Sequence, residues 1–149
     1  MTQASDLYQE VILDHTKKPR NFGRLEPCDH HARGDNPVCG DQLEVFVDLD
    51  EEGIIRDIKF EGQGCAISQA SASVMTGEVK GRPAQEARDL SQQFRDLITG
   101  RTENVEGIGK LEVFTGVKRF PTRVKCATLA WHTLTAALHG EETVVTTEE

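Results

Sequence analysis

The sequence is short of basic residues and of long apolar runs, and each shortage excludes a class of protein. Its 149 residues hold 17 lysines and arginines against 25 aspartates and glutamates, a formal net charge of −8 at pH 7. Nucleic acids and anionic membranes repel such a chain, so neither is expected as its partner. No apolar run approaches the roughly 18 residues of a membrane-spanning helix. The first ten residues, MTQASDLYQE, lack the apolar core of a secretion signal, so we expect a cytoplasmic protein.

Cysteine is scarce as well, and its distribution limits the thiol chemistry available. Four cysteines occur at wide spacings: Cys28, Cys39, Cys65 and Cys126. In a reducing cytoplasm, such thiols favour metal binding or thiol chemistry over structural disulfides. Because they stand singly rather than in paired CxxC motifs, each is also compatible with a small buried apolar residue. Spacing alone leaves both interpretations open.

The spacing of apolar residues predicts a single α+β domain. Two alternating segments joined by the loop 50–53 predict an antiparallel β-hairpin, and a weaker pattern suggests a third strand before them. The domain is expected to span residues 1–140, followed by a disordered acidic tail over 141–149. The predicted elements are a helix over 5–16, strands over 28–35, 43–49 and 54–62, helices over 66–81, 84–99 and 121–140, and a glycine-bearing connector at 102–110.

Four metal-ligating residues are expected to converge at one end of the hairpin. Cys39 and Asp41 precede the first hairpin strand, two residues apart, so they share a face if that strand begins early. Cys65 follows the second strand, and a hairpin brings the start of one strand beside the end of the other. Cys126 lies in the first turns of the last helix, where packing would carry it to the same end. Three thiolates and one carboxylate suit tetrahedral Zn²⁺ or an iron–sulfur cluster.

Two basic residues near Cys126 are candidates for balancing the charge of such a site. Four anionic ligands around a +2 centre leave about −2 formal charge by ligand counting. Arg123 and Lys125 would offset that excess, although both also fit the solvated face of a helix. Zinc and an oxidised two-iron core carry the same charge, so charge does not distinguish them.

A rival set of ligands lies upstream, in the segment CDHH. Cys28, His30 and His31 would bind a metal together with Cys39, but the segment is polar and lacks a predicted scaffold. The remaining histidines are interpreted as helix-surface or packing residues; they are His15, His132 and His139.

Four stretches taken together resemble the U-type iron–sulfur cluster assembly proteins. They are YQEVILDHTKKPRNFG, NPVCGDQLEV, FEGQGCAISQASAS and FPTRVKCATLAWHTL, and they extend over nearly the whole domain. The resemblance implies a compact α+β fold with a three-stranded antiparallel sheet against helices. It also implies that Cys39, Asp41, Cys65 and Cys126 are the metal ligands, since each falls on the corresponding motif of the family.

Within that family, the chain resembles the SUF-type branch, the SufU proteins. Lys125 stands where scaffolds of the ISC branch have a histidine before the last cysteine, and no LPPVK-like chaperone motif precedes it. An extra charged helical stretch near residues 81–100 lengthens the segment between Cys65 and Cys126. The resemblance to this branch implies zinc as cofactor and a pyridoxal-phosphate-dependent cysteine desulfurase as partner. It implies that Cys39 accepts the sulfur, with Cys126 as the second choice.

Two other functions remain open on the same residues. The four ligands would equally hold a transient [2Fe–2S] cluster and pass it to downstream assembly proteins or apo-proteins, since a carboxylate is an exchangeable ligand for iron. Alternatively, a zinc ion would only fold the chain, leaving partner binding as its whole function.

Overall fold

Helices pack against a β-sheet whose three long strands are antiparallel. The structure, a computed structural model, describes residues 3–25, 30–37, 40–103, 107–119, 121–139 and 144–146. In these residues the chain forms helix α1 (Gln3–Lys17), strands β1 (His30–Asn36), β2 (Asp41–Leu49) and β3 (Ile55–Gln63), helices α2 (Ala66–Val79) and α3 (Ala84–Ile98), a 3₁₀ helix (Gly109–Arg119), helix α4 (Pro121–Leu138) and strand β4 (Val144–Thr146).

The sheet confirms the predicted α+β class and the three-stranded antiparallel arrangement. Strand β2 is central, with β1 and β3 antiparallel on either side. The predicted hairpin pairs Val45 with Phe60, and the weakly predicted third strand is β1, which pairs Ala32 with Val45. Strand β2 begins at Asp41, and the strand face predicted to be shared by Cys39 and Asp41 stays a prediction, because Cys39 lies outside the described residues.

Part of the tail over 141–149, which the sequence predicts to be disordered, forms the short fourth strand β4. The backbone of β4 pairs in parallel with β1, with Arg33 opposite Val144. The sequence Val-Val-Thr is β-branched and suits an extended backbone, and the outer edge of β1 supplies the backbone groups with which it pairs. The flanking tail residues 141–143 and 147–149 lie outside the described residues.

Helices α2 and α4 pack together, and both contact the sheet. On β2, Leu43, Val45 and Val47 point inward and are buried. Gly34 of β1 allows α4 to approach closely, because a Cβ at that position would overlap Oγ1 of Thr133. The hydrophobic core lies between these layers, and its largest buried side chains include Trp131, Phe60, Phe94, Phe114 and Leu43.

The helices match their predicted positions, but the connector after α3 is more regular than predicted. The 3₁₀ helix begins inside the expected connector at 102–110 and continues to Arg119. Its buried residues Leu111, Phe114 and Val117 recur every three positions, which is the period of a 3₁₀ helix. Within the described ranges, no helix combines the length and the apolar character needed to cross a bilayer.

Candidate metal site

The candidate site lies where the three antiparallel strands meet at one end of the sheet. Asn36, the last residue of β1, pairs with Asp41, the first residue of β2. Strand β3 ends with Gln63 opposite Gln42, and Gly64 and Cys65 follow directly. The hairpin therefore brings Asp41 and Cys65 together, as the sequence predicts.

Three of the four predicted ligands meet at this point. One ligand atom each from Asp41, Cys65 and Cys126 lies within 4.8 Å of the others. In a tetrahedral zinc site with Zn–S bonds of about 2.3 Å, two sulfurs lie about 3.8 Å apart, so modest side-chain rotations would bring these atoms to binding distance. The fourth predicted ligand, Cys39, lies outside the described residues.

Asp41 is a buried carboxylate that is oriented from two sides. Its side chain is 1% exposed. The backbone N–H of Cys65 donates to Oδ1 at 2.8 Å, and the Asn36 amide donates to Oδ2 at 3.2 Å. A buried charge is costly unless it is hydrogen-bonded or bound to a cation. Each carboxylate oxygen has capacity for more than one partner, so Asp41 is able to bind a metal without losing these bonds.

Gly64 provides the space that the Asp41 side chain occupies. A Cβ at Gly64 would overlap Oδ1 of Asp41 and lie 3.0 Å from its carboxyl carbon. A steric requirement therefore explains why the second glycine of the GQGC sequence before α2, Gly64, carries no side chain. A larger residue would displace the carboxylate from the position where it faces both thiols.

Cys65 is half-buried and its thiol is acidic. The pKa of Cys65 is lowered from its ordinary value near 9 to about 7, chiefly by a hydrogen bond with Cys126 and also by the backbone N–H groups of Ser68 and Ile67. Burial of the thiol and the nearby Asp41 carboxylate oppose this shift. Cys65 is the N-cap of α2, and its side chain forms no capping hydrogen bond. The positive end of the helix dipole at this position favours the thiolate. The thiolate, which is the metal-binding form, is therefore accessible near neutral pH.

Helix α4 is held against α2 by buried hydrogen bonds next to Cys126. The Ser71 hydroxyl donates to the backbone oxygen of Ala127 at 2.6 Å, and Nε1 of Trp131 donates to the same hydroxyl at 3.3 Å. Cys126 itself is 2% exposed. These contacts fix the depth at which α4 presents its cysteine to the strand ends.

Asn36 belongs to the site and is absent from the predicted set. Its side chain is 0% exposed, and its amide nitrogen lies 3.2 Å from Oδ2 of Asp41 and 3.5 Å from Sγ of Cys126. The sequence held one signal for it: Asn36 begins the NPVCGD motif that contains two of the predicted ligands. That signal suggests a turn residue rather than a donor to the ligands.

The predicted basic residues lie in the turn of α4 that precedes Cys126. Arg123 is exposed and Lys125 is half-buried. Their role in balancing the charge of the ligands stays a prediction.

The rival ligand set is divided by the sheet. His30 and His31 are consecutive residues of β1, so their side chains leave opposite faces. The His31 ring packs beside Phe46, with centroids 6.3 Å apart, and Cys28 lies outside the described residues. Among the described residues, the group of Asp41, Cys65 and Cys126 is the one that brings three metal-ligating side chains together.

The remaining histidines are packing or surface residues, as predicted. His15 is buried with Nδ1 2.6 Å from Oγ of Ser73. His132 is half-buried beside Arg95, and burial, with a smaller contribution from the Arg95 charge, lowers its pKa to about 4. His139 is exposed at the end of α4.

The fold and the site together define a small α+β domain whose strand ends and two helices bring together one carboxylate and two thiols that are able to bind a metal. A family model described as the NifU-like N terminal domain matches residues 7–127. The chain belongs to that family.

Known relatives resemble the chain over almost its whole length. The Bacillus subtilis (strain 168) protein named zinc-dependent sulfurtransferase SufU is 42% identical over 137 residues, which are 91% of this chain and 92% of that protein. The scaffold protein IscU of Streptococcus pyogenes serotype M1, named for iron–sulfur cluster assembly, is 38% identical over 139 residues, 93% of this chain and 86% of that protein.

A solved structure shows the same fold. It comes from Fervidobacterium islandicum AW-1 and is described as a candidate iron–sulfur cluster assembly scaffold protein for the SUF system. It superposes with a TM-score of 0.83 at 37% identity, covering 89% of this chain and 97% of that one.

Proposed function

We propose that this chain is a zinc-dependent sulfur acceptor of cytoplasmic iron–sulfur cluster assembly, which takes persulfide sulfur from a pyridoxal-phosphate-dependent cysteine desulfurase. The observation that carries the proposal is the convergence of Asp41, Cys65 and Cys126 within 4.8 Å. Cys39, two residues before Asp41 in sequence, completes a set of four ligands. The likeness to a protein named as a zinc-dependent sulfurtransferase supports the same class.

The donor set matches zinc in number and in type. Three thiolates and a carboxylate supply the four ligands of a tetrahedral site. Zinc, when bound, keeps its thiolate ligands deprotonated near neutral pH and so maintains their nucleophilic form. Arg123 and Lys125, which precede Cys126 on α4, offset the excess negative charge of the ligands.

The transfer step exchanges one persulfide for another. The Cys39 thiolate attacks the outer sulfur of the desulfurase persulfide, and a new S–S bond forms on Cys39. The original S–S bond breaks, and its electron pair leaves on the desulfurase cysteine as a thiolate. Nothing is oxidised or reduced overall. Cys126 is the second choice as acceptor, because it is 2% exposed and a partner would reach it only after α4 moves.

Replacing Cys39 tests this assignment. We expect Cys39→Ala to abolish both stimulation of the desulfurase and the appearance of a persulfide on this chain, measured by alkylation and mass mapping. Cys28→Ala is the matched control, because Cys28 is outside the proposed set, and it should behave as wild type. Full stimulation by Cys39→Ala would refute the role of Cys39.

The second candidate is a scaffold on which a [2Fe–2S] cluster is assembled as cargo and then passed to apo-proteins. The mixture of a carboxylate with thiolates at the site favours it, because Asp41 is a harder and more exchangeable ligand than a cysteine. Under this function, Asp41→Ala should lengthen the lifetime of the cluster. Metal analysis and the visible spectrum of protein purified without oxygen separate the two functions, since zinc protein is colourless and cluster protein is brown.

A purely structural zinc ion is the third function to test. The core formed by the sheet, α2 and α4 packs large side chains such as Trp131 and Phe60 without using the ligands. We therefore expect removal of zinc by a chelator to lower the melting temperature while leaving the far-ultraviolet circular dichroism of a folded protein. Complete unfolding on chelation would favour the structural function instead.

A further inference from the structure

Asn36 contacts two of the metal ligands with a single amide group. Its NH₂ carries two hydrogens, so it is able to donate at once to Oδ2 of Asp41 and to Sγ of Cys126, at 3.2 and 3.5 Å. Asp41 belongs to β2 and Cys126 to α4, and the two residues are 85 positions apart in the chain. Asn36 therefore joins the sheet part of the site to its helix part.

The orientation of this amide is determined by the ligands. Oδ1 of Asn36 is buried without a hydrogen-bond partner in the described part of the chain. Turning the amide over would aim Oδ1 at a carboxylate and a sulfur, both of which are acceptors. The arrangement thus leaves a buried carbonyl oxygen unpaired in order to present N–H groups to two anionic ligands, and such an unpaired group is unfavourable for folding.

The side chain is not needed to close the turn between β1 and β2. The backbone already does so, because the N–H of Gly40 donates to the backbone oxygen of Asn36 at 2.8 Å. A turn-forming asparagine would use its side chain toward nearby backbone groups. Here the side chain reaches across to α4 instead.

We propose that Asn36 is a positioning residue of the metal site, whose amide holds Asp41 and Cys126 as fixed ligands. Hydrogen bonds from outside the ligand set orient ligands and tune their donor strength. Bonds to ionised acceptors are the stronger kind, so this amide stabilises the site most when Asp41 and Cys126 are ionised. The inference rests on the proposed function in one respect: with Asp41 and Cys126 fixed by one amide, the reactive ligand is Cys39 or Cys65, and the proposed function takes Cys39.

Two substitutions of Asn36 separate this role from simple packing. Asn36→Asp keeps the size of the side chain but removes the donors and adds charge, whereas Asn36→Ala removes donors and volume together. A positioning role predicts that zinc affinity falls in the order wild type, Ala, Asp. A packing role predicts the opposite order for the two variants, because Asp fills the space that Ala leaves empty.

The measurements are the zinc dissociation constant, by competition with a chromogenic chelator, and the thiolate-to-metal absorption band of the cobalt(II)-loaded protein. We expect Asn36→Ala to weaken zinc binding by about 10- to 100-fold, and to shift the cobalt band to lower energy as the Cys126 sulfur loses its hydrogen bond.

Ser91→Ala is the control: this buried α3 hydroxyl lies 3.3 Å from Oγ1 of Thr135 and belongs to a different part of the core. It should change only the melting temperature.

The results also separate this proposal from the proposed function. Zinc affinity and a cobalt spectrum like wild type in Asn36→Ala, or tighter binding in Asn36→Asp than in Asn36→Ala, would overturn the role of Asn36 alone. Failure of the wild-type protein to bind zinc or cobalt would overturn the zinc-dependent function and this proposal together. Loss of sulfur transfer is measured separately, through Cys39→Ala.

Discussion

Two partly buried polar clusters join distant parts of this chain, and they differ in the hydrogen-bonding groups that they contain. The ligand cluster consists of Asn36, Asp41, Cys65 and Cys126. The latch cluster, where the end of α1 and the following turn meet α2, consists of His15, Arg20, Asn21, Ser73 and Thr76.

In the latch cluster, Oγ of Ser73 accepts the backbone N–H of Arg20 at 2.7 Å and lies 2.6 Å from Nδ1 of His15. Oγ1 of Thr76 accepts from Nδ2 of Asn21 at 3.0 Å and donates to the backbone oxygen of Ser73 at 2.7 Å.

The ligand cluster consists mostly of acidic groups. Its carboxylate and two sulfurs lie next to the Asn36 amide and the N–H of Cys65, and the N–H groups of Ser68 and Ile67 also face the Cys65 sulfur. Sγ of Cys65 lies 4.0 Å from Oδ2 of Asp41. A neutral cluster with paired donors and acceptors stabilises a fold by itself. A buried cluster of acidic groups with few donors is favourable only when a cation supplies the missing positive charge. The difference agrees with a structural role for the latch cluster and supports the proposal that the ligand cluster binds a metal.

The largest expected effect comes from disturbing the ligand cluster sterically. Gly64→Ala would place a methyl group against the Asp41 carboxylate and push it away from the two thiols. We expect zinc affinity to fall by about 10- to 100-fold, the range seen when the surroundings of a metal ligand are altered. Competition with a chromogenic chelator measures it.

Gly77→Ala is the matched control for this substitution. A Cβ at Gly77, which lies within α2, would meet nothing within 4 Å. Replacing a glycine inside a helix by alanine stabilises by about 0.5–1 kcal/mol, so this variant should melt higher and bind zinc like wild type. Equal zinc affinity in both variants would show that Gly64 does not control the position of Asp41.

A smaller effect, on stability rather than on metal binding, is expected in the latch cluster. Ser73→Ala removes the acceptor of the Arg20 N–H and the partner of the buried His15 ring. Removing one partner of a buried hydrogen bond costs about 1–3 kcal/mol. Urea unfolding of the metal-free protein should show this loss, and zinc affinity should stay within a factor of two of wild type. A large loss of zinc affinity would mean that the two clusters are coupled through α2, and the comparison would fail.

The strands and helices follow from local pattern, whereas the irregular elements depend on tertiary pairing. Alternation along β2 and β3 predicts the hairpin, and the hairpin predicts that Asp41 and Cys65 meet. The 3₁₀ helix was missed because its apolar residues, Leu111, Phe114 and Val117, repeat every three positions, a period between those of strand and α-helix. Strand β4 exists only because β1 offers it an edge, and a three-residue segment carries little pattern of its own.

Asn36 shows most clearly what pattern alone leaves out of the site. The segment HHARGDN of β1 is mostly polar and charged, so its pairing with β2 has almost no apolar signal. The contact between Asn36 and Asp41 depends on that register, and the contact with Cys126 depends on how deeply α4 packs. Ligands are recognisable by residue type, since thiols and carboxylates bind metals anywhere. An amide that serves the ligands is recognisable only by its position.

The smallest expected effect is a shift in protonation within the ligand cluster. In metal-free protein the Cys65 pKa of about 7 predicts that alkylation of Cys65 by iodoacetamide rises with a midpoint near pH 7, read by mass mapping. The shift is downward, so folding favours the thiolate. The stabilisation of the fold by the Cys65 thiolate is fully present above pH 9, the ordinary pKa that the thiol has in the unfolded chain. It is lost as the pH falls through about 7, the pKa in the folded protein. Because the hydrogen bond with Cys126 is the largest cause, Cys126→Ala should move the midpoint upward. A midpoint near 9 in the unaltered protein, or one unmoved by Cys126→Ala, would show that the two thiols are not paired.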